Sequence, residues 1–287
     1  MVRRMRLLIT NDDGINAPGL HSLVRAVARW MAESPDGVER QALVAAPQSN
    51  QSGMSSAVGD VFGRSGVPYR RHYFDGAEEI VSYALEATPA LCTIIGALGS
   101  FGTRPDFVLS GINEGANVGR SVLHSGTIGA ILTGAQLGLS GLAVSIQHGD
   151  PMHFDTAADV AMQLLDQMGD APSRTLFNLN VPNRPPGELL GVRRGRVSAA
   201  GLIKSAGPSA GGKPLADEGI LPLRLGVATP SIGDVSDEEP EDDGALVVAG
   251  FASLTPLRGV HEDSDVGMDE LVRASLAAME MHLIQHR

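Results

Sequence analysis

The sequence predicts an α/β protein in which a parallel β-sheet is covered by helices on both faces. Short apolar, β-branched runs alternate with segments of helical spacing over the first 180 residues. Alternation of this kind is typical of parallel sheets, whose strands are buried on both sides and are therefore apolar without a break. Hydrophobic residues make up 43% of the 287 residues, which is enough to build a full core.

The predicted elements follow one another in a regular order. In the helical segments the apolar residues recur at intervals of three and four, whereas the strands are short continuous runs. We predict strands at 6–10, 41–47, 106–111, 142–146 and 176–182. We predict helices at 20–33, 89–98, 127–138 and 154–169. In open sheets of this type, ligands bind beyond the carboxyl ends of the strands, so these ends are where we look for a site.

The chain changes in character after the last of these strands, and we place a domain boundary there. Residues 1–185 form the predicted core domain, and residues 186–287 form a C-terminal extension. Residues 234–243 carry seven carboxylates in ten positions and are expected to be a solvated loop. Residues 245–257 have the pattern of one or two strands. Residues 265–286 form a predicted amphipathic helix, whose apolar stripe needs a surface in this chain or in a partner subunit.

Charge and cysteine content limit the classes of function. The chain has 22 Lys and Arg against 33 Asp and Glu, a net charge of -11. Long nucleic acids require a basic surface, so we expect none as a partner, whereas a small phosphorylated ligand stays compatible because a metal ion can reverse the local sign. The single Cys92 excludes an internal disulfide and suits a reducing compartment. Without an apolar span of about 20 residues, we expect a cytoplasmic protein that does not bind a membrane.

Two adjacent carboxylates, Asp12 and Asp13, directly follow the first predicted strand. Their mutual repulsion would be relieved by a divalent cation between or beside them. Ligands that are all oxygen select a hard ion such as Mg²⁺ or Mn²⁺ over Zn²⁺. Taken alone, the pair is explained equally well if one Asp caps the following helix and the other faces water.

Polar side chains at the ends of other strands favour a metal site over the helix-cap explanation. Residues 46–56 form a loop rich in hydroxyls and amides, and a glycine-rich stretch places Asn113 and Asn117 just past the strand at 106–111. The start of the next predicted helix is marked by Ser125, Gly126 and Thr127. Free backbone N–H groups at a helix N-terminus bind phosphate. A metal ion together with a phosphate therefore fits this edge of the sheet better than either alone.

Seven motifs in the chain together resemble the SurE (survival protein E) family of metal-dependent 5′/3′-nucleotidases. They are ITNDDGINAPG, APQSNQSG, SGINEGANVG, HSGT, FDTAA, NLNVP and GFASLTPL, in family order, and the resemblance spans residues 6 to 257. It implies a Rossmann-like three-layer core with a C-terminal β extension and a terminal helix. It also implies hydrolysis of nucleoside monophosphates to nucleoside and phosphate, and a homodimer or homotetramer that exchanges C-terminal elements.

The resemblance assigns roles to individual residues. The implied metal ligands are Asp12, Asp13, Ser52 and Asn113, of which the two Asp are also the implied catalytic pair. The implied phosphate-binding residues are Asn117, Ser125, Gly126 and Thr127. A bound ion would polarise water and neutralise phosphate oxygens, and Asp13 is a candidate base. Attack by water and attack by Asp12 are both open, but Gly14 stands where aspartyl-phosphate enzymes commonly have a second Asp, which favours water.

Some positions depart from the family pattern, and they bear on the substrate. Gln48, Ser49 and Gln51 stand where the family has an acid and two arginines, and Leu91 stands where an Asp is usual. Losing two cations beside a phosphate site weakens anion binding or changes what is bound.

Two alternative functions follow from the residues. The changed loop is compatible with a non-catalytic metal or nucleotide sensor. A metal-dependent deacetylase could also place adjacent Asp residues after a first strand, but it would need a His ligand where Asn11 stands. His148 and His153 are expected to be surface residues, because they lie in a short loop without a second pair of ligands.

Overall fold

Strands and helices alternate along most of the chain. The computed structural model describes residues 3–61, 65–168, 172–199, 203–205, 225–227 and 241–260. The strands are β1 Arg3–Thr10, β2 Val38–Pro47, β3 Tyr69–His72, β4 Val81–Leu85, β5 Phe107–Glu114, β6 Ser140–Ile146, β7 Leu176–Val181, β8 Val192–Arg194, β9 Ile203–Ser205, β10 Leu225–Val227 and β11 Ala252–Leu257. The helices are α1 Pro18–Ala32, α2 Pro89–Ala97, α3 Gly126–Gln136, α4 Phe154–Met168 and α5 Asp243–Ala249, with a 3₁₀ helix at Gly119–His124.

Nine strands form one mixed sheet in the order β3-β4-β2-β1-β5-β6-β7-β11-β8. The six strands from β4 to β7 are parallel, whereas β3 and β11 pair antiparallel to β4 and β7. The chain builds outward from β1 through β2 to β4 and then returns to β5 on the other side of β1. The point where the strand order reverses therefore lies between β1 and β5, and ligands bind there in open α/β sheets.

Helices cover both faces of the sheet, which confirms the predicted α/β class. Helices α1 and α4 pack on one face, where Ile9 of β1 belongs to the same buried cluster as Leu23 and Leu165. Helices α2 and α3 pack on the other face, where Leu8 is buried with Cys92 and Ile131. Leu8 and Ile9 are neighbours in the chain, and they reach opposite faces because side chains alternate along a strand.

Local sequence signals explain where several helices begin. Helix α1 has a proline in its first turn, where the missing N–H costs nothing. The Thr88 side chain accepts a hydrogen bond from the backbone N–H of Leu91 and so caps α2. Ser125 caps α3 in the same way, because its Oγ accepts from the N–H of Ile128 at 3.2 Å. The hydroxyl predicted at the start of this helix therefore has a structural function.

The structure corrects the sequence prediction at two places. Residues 245–249, which were included in a segment with a strand pattern, belong to helix α5, while β11 confirms a strand in the second half of that segment. The helix buries Leu246 and Val247 and ends at Gly250, whose φ of 99° turns the chain toward β11. Strands β3 and β4 are not in the prediction, because YRRH in β3 is almost entirely polar and VSYAL in β4 mixes polar with apolar residues.

Strands after residue 185 extend the same sheet, since β11 pairs with β7 and β8 pairs with β11. The chain divides into two compact units, Met1–Leu257 and Arg258–Arg287. The predicted helix at 265–286 and most of the acidic loop at 234–243 lie outside the described residues. In the part of the chain that the structure describes, none of the helices has the length and apolar character needed to cross a membrane.

Candidate metal and phosphate site

The turn after β1 places a buried carboxylate against the start of α3. The Asp12 side chain is buried, and its Oδ1 accepts a hydrogen bond of 2.6 Å from the hydroxyl of Thr127. Gly126 leaves the necessary space, because a Cβ at this position would lie 2.8 Å from Asp12 Oδ2. Burial raises the pKa of Asp12, while hydrogen bonds from Thr127 and Gly126 act in the opposite direction. The helix N-terminus therefore stabilises the negative charge of Asp12.

Asp13 is held less tightly than its neighbour. Its Oδ1 accepts hydrogen bonds from the amide nitrogen of Asn50 and the hydroxyl of Ser52. Its Oδ2 accepts one from the backbone N–H of Glu114, and all three distances are 3.4 Å. These distances are longer than most protein hydrogen bonds. Burial, followed by the charge of Asp12, raises the pKa of Asp13 to about 6. No stronger partner compensates this carboxylate among the hydrogen bonds of the described residues.

The loop after β2 lies over the two carboxylates. The N–H of Gln51 donates to the backbone oxygen of Asp12 at 2.6 Å, and the N–H of Ser52 donates to Asn50 Oδ1 at 2.8 Å. Gly14 permits this approach, because its φ is +98° and a Cβ there would be 2.9 Å from the backbone carbon of Ser49. The loop thus brings the hydroxyl of Ser52 to Asp13, as the metal-site prediction requires.

Asn113 lies at the end of β5, which pairs directly with β1. Its amide nitrogen donates to the backbone oxygen of Gly115 at 2.6 Å. This bond orients the side chain and leaves its oxygen as an acceptor for another partner. Because Glu114 contacts Asp13, the predicted ligands from β1, β5 and the loop after β2 lie at one edge of the sheet.

The donor set fits a hard divalent cation. Asp12 and Asp13 supply carboxylate oxygens, Ser52 a hydroxyl and Asn113 an amide oxygen, and oxygen is the ligand type that Mg²⁺ and Mn²⁺ prefer. Burial raises the pKa of both carboxylates, and the charge of Asp12 adds to the shift at Asp13, so positive charge at this place would stabilise their ionised forms. Clusters of three or more His, Cys, Asp or Glu are absent from the described residues, so an ion here would need Ser52 and Asn113 as well.

Asn117 is the most firmly positioned of the predicted phosphate-binding residues. Its backbone N–H donates to Asn180 Oδ1 at 2.7 Å, and its backbone oxygen accepts from the amides of Asn178 and Asn180. Its own amide nitrogen donates to the hydroxyl of Ser145 at 2.9 Å. That nitrogen carries two hydrogens, so one is left for a ligand.

Sequence reasoning missed Asn178 and Asn180, which support Asn117, and it named Thr127 for phosphate binding without its contact to Asp12. Asn178 and Asn180 lie two positions apart on β7, so both point to the same face of the sheet and meet Asn117 together. The alternation N-x-N in an apolar strand was the available signal, since buried amides in a core strand need partners. For Thr127, the structure shows a buried hydroxyl bonded to Asp12, a contact that no local pattern predicts.

A cavity of about 520 Å³ opens beside this site. The positions that depart from the family pattern border it, namely Gln48, Ser49, Gln51 and Leu91. His148 is 75% exposed and pairs with Glu114, the neighbour of Asn113, at 3.1 Å, whereas the N–H of His153 donates to Asn183. The exposure of His148 agrees with the predicted surface role.

Comparisons with known proteins agree with the motifs. The family model described as "Survival protein SurE" matches residues 7–202. The 5′/3′-nucleotidase SurE of Edwardsiella ictaluri is 35% identical over 263 residues, covering 88% of this chain and 90% of that protein. The 5′/3′-nucleotidase SurE of Salmonella arizonae is also 35% identical, covering 93% and 96%.

A solved structure extends the agreement to the fold. The crystal structure of the SurE protein from Aquifex aeolicus superposes with a TM-score of 0.70 at 25% sequence identity, covering 92% of this chain and 97% of that one. The family model matches well over half of the chain, and the curated relatives match nearly their whole length. The chain therefore belongs to the SurE family.

Proposed function

We propose that this chain is a divalent-metal-dependent 5′/3′-nucleotidase that hydrolyses nucleoside monophosphates to nucleoside and phosphate. The observation that carries the proposal is the pair Asp12 and Asp13 at the point of strand-order reversal, with the hydroxyl of Ser52 3.4 Å from Asp13 Oδ1 and Asn113 at the end of the neighbouring strand β5. Membership of the SurE family favours this function over a sensor or a deacetylase.

In the proposed site, a Mg²⁺ or Mn²⁺ ion is held by Asp12, Asp13, Ser52 and Asn113. Such an ion, when bound, supplies positive charge that polarises water and neutralises phosphate oxygens. The fixed orientation of Asp12, given by Thr127 and the α3 N-terminus, means that the carboxylate needs little reorganisation on binding. Nucleotide binding next to it is supported by the adjacent cavity.

In this proposal, residues of the chain also bind the phosphate group and accept the proton of the attacking water. Asn117 has one amide hydrogen left to donate to a phosphate oxygen, and Ser125, Gly126 and Thr127 lie at the start of α3 beside Asp12. Donors that are already in place stabilise the charge that develops on the oxygens during transfer. The hydrogen bonds that Asp13 makes within the described part of the chain are all long, so it is the carboxylate we propose to accept the proton of the attacking water.

The proposal is tested by phosphate release from a panel of nucleoside monophosphates with Mg²⁺, with Mn²⁺ and with EDTA. We expect D12N and D13N each to reduce release to the level seen with EDTA. D155N is the matched control, because Asp155 is an exposed carboxylate on α4 that pairs at 3.9 Å with Arg25. Full activity in either site variant would refute the site, and a metal-dependent protein that binds nucleotides without hydrolysis would indicate a sensor.

The proposal also includes the oligomeric state of the protein and its location in the cell. We propose that residues 1–185 carry the metal-binding and phosphate-binding side chains and that residues 186–287 serve a homodimer or homotetramer in the cytoplasm, with exchanged C-terminal elements. Truncation after residue 260 removes the predicted amphipathic helix and should lower the number of chains per particle, obtained by dividing the mass from light scattering by the mass of the truncated chain. An unchanged number of chains would show that the apolar stripe of this helix does not maintain the oligomer.

A further inference from the structure

Asp243 is a buried carboxylate that the proposed chemistry does not use. It lies at the start of α5 and its side chain is fully buried. Its Oδ2 accepts the N–H of Gly119 at 2.8 Å, and its Oδ1 accepts the N–H groups of Gly244 at 2.8 Å and Ser198 at 3.3 Å. Burial raises the pKa of Asp243, and these three backbone donors oppose the shift. A buried charge is tolerated only where such donors compensate it.

The contact with Gly119 links the C-terminal part of the chain to the site. Gly119 begins the 3₁₀ helix, so the carboxylate faces the unpaired N–H at a helix start. Residue 119 comes two positions after Asn117 and six before Ser125, and both flanking residues are predicted to bind phosphate. Hydrogen bonds to an ionised acceptor are about twice as strong as neutral ones, so this contact holds the segment between them firmly.

The other side of the same segment is anchored to the sheet. Asn178, Asn180 and Ser145 hold Asn117 from β7 and β6. Asp243 holds Gly119 from a different element, and Asp243 is itself fixed because its N–H donates to the backbone oxygen of Arg196 at 2.8 Å. Without the carboxylate, the segment would keep Asn117 at its start and the hydrogen bond from the Ser55 hydroxyl to the backbone oxygen of Leu123 near its end, and Gly119 between them could shift.

We propose that Asp243 is a positioning residue for phosphate binding, acting through Gly119 on the orientation of Asn117 and Ser125. This inference rests on the proposed nucleotidase function. If Asp243 has this role, residues 241–244 help to form the site although they are distant in sequence from every predicted ligand. Displacements of about 1 Å at positioned groups cost up to about a hundredfold in activity, so a loose segment should be measurable.

The test compares D243N with two matched variants. In D243N one acceptor becomes an NH₂ group that faces a backbone N–H. D242N makes the same change at the neighbouring exposed carboxylate, which caps no backbone N–H with its side chain. L246A removes a fully buried side chain from α5 while leaving the carboxylate in place, so it serves as a control for lost stability. If D243N does not fold, the smaller neutral variant D243S replaces it.

Binding of inorganic phosphate to the manganese-loaded protein is measured by calorimetry, together with KM, kcat, manganese affinity and Tm. We expect D243N to weaken phosphate binding and raise KM by about tenfold or more, with manganese affinity nearly unchanged. D242N should match the wild type, and L246A should lower Tm without weakening phosphate binding. Unchanged phosphate affinity in D243N, or an equal loss in L246A, would overturn the proposal. Absence of nucleotide hydrolysis by the wild type would instead contradict the nucleotidase function.

Discussion

At the scale of single residues, the site depends on how a carboxylate pair is kept buried beside the sheet. Asp12 is 2% exposed and receives a short hydrogen bond from Thr127 together with the N-terminus of α3. Asp13 has three partners at 3.4 Å and stays more open. The two adjacent aspartates therefore differ in environment. Asp12 is held in one orientation, whereas Asp13 is free to adjust to a bound ion.

The hydroxyl of Thr127 orients Asp12, so its removal should weaken metal binding. In T127V the shape is nearly kept, but the carboxylate loses its 2.6 Å donor. Loss of a partner behind a metal ligand typically costs about 10- to 100-fold in metal affinity. We expect that range for Mn²⁺ by calorimetry, and T127S, which keeps the hydroxyl, should stay close to the wild type. Equal affinity in T127V and the wild type would show that this hydroxyl does not orient the ligand.

At the scale of elements, the edge strand β3 is held to the rest of the fold through an aromatic cluster. The ring of Phe74 packs edge-on against two histidine rings. The ring centroids are 4.8 Å apart for His21 of α1 and 4.6 Å apart for His72 of β3. The Nε2 atoms of both histidines are buried and have no hydrogen-bond partner among the residues that the structure describes. Neutral imidazoles are compatible with this packing, whereas imidazolium ions are not.

This cluster should make the protein less stable in mild acid. Burial, with a contribution from His72, lowers the pKa of His21 below its ordinary value of 6.5, and burial lowers the pKa of His72. A lowered folded-state pKa means that the stabilisation is complete above about pH 6.5 and is lost as the pH falls through the folded-state value. We expect the urea midpoint to fall between pH 7 and pH 5.

The variant H21F separates this cause from other titrations. It keeps a ring against Phe74 but has no titratable group, so the fall in midpoint between pH 7 and pH 5 should be smaller than in the wild type. H148Q is the control, because it removes an exposed histidine that lies outside this cluster. An identical pH dependence in H21F and the wild type would exclude His21 as a source of the acid sensitivity.

At the scale of the whole molecule, the candidate site joins segments that are distant in the chain. Asp12 and Asp13 follow β1, Ser52 follows β2, and Asn113 ends β5 on the other side of β1. These segments converge because the strand order reverses between β1 and β5, which leaves a crevice at their carboxyl ends. A ligand bound there should therefore stabilise the folded chain as a unit.

Manganese should raise Tm through this linkage. At a concentration of 100 times Kd, binding to the folded state alone adds about 2.7 kcal/mol, which corresponds to about 5–10 °C for a chain of this length. We expect such a shift by calorimetric scanning, and N113A should lose most of it because one oxygen ligand is missing. D155N should show the full shift. No shift in the wild type at millimolar Mn²⁺ would argue against a cation site at this edge.

The sequence predicts the central strands and the ligand-binding edge of the sheet, because the patterns that mark them are local in the chain. Apolar runs such as residues 6–10 and 142–146 mark buried strands by themselves, and polar residues placed just after them mark the ligand edge. The strands β3 and β4 escaped prediction because polar residues interrupt or replace their apolar pattern. The helix Asp243–Ala249 escaped because an apolar run of this length fits a strand equally well.

The order in which strands lie and the contacts that support the site depend on tertiary structure. Thr127 meets Asp12 across 115 residues of chain, and Asp243 meets Gly119 across 124. Each contact needs two elements to dock first, since neither partner has a local pattern that refers to the other. The sequence alone therefore determined which residues end the strands, because burial and periodicity are local properties. Only the folded sheet decided which of them share a site, because the reversal of strand order sets their distances.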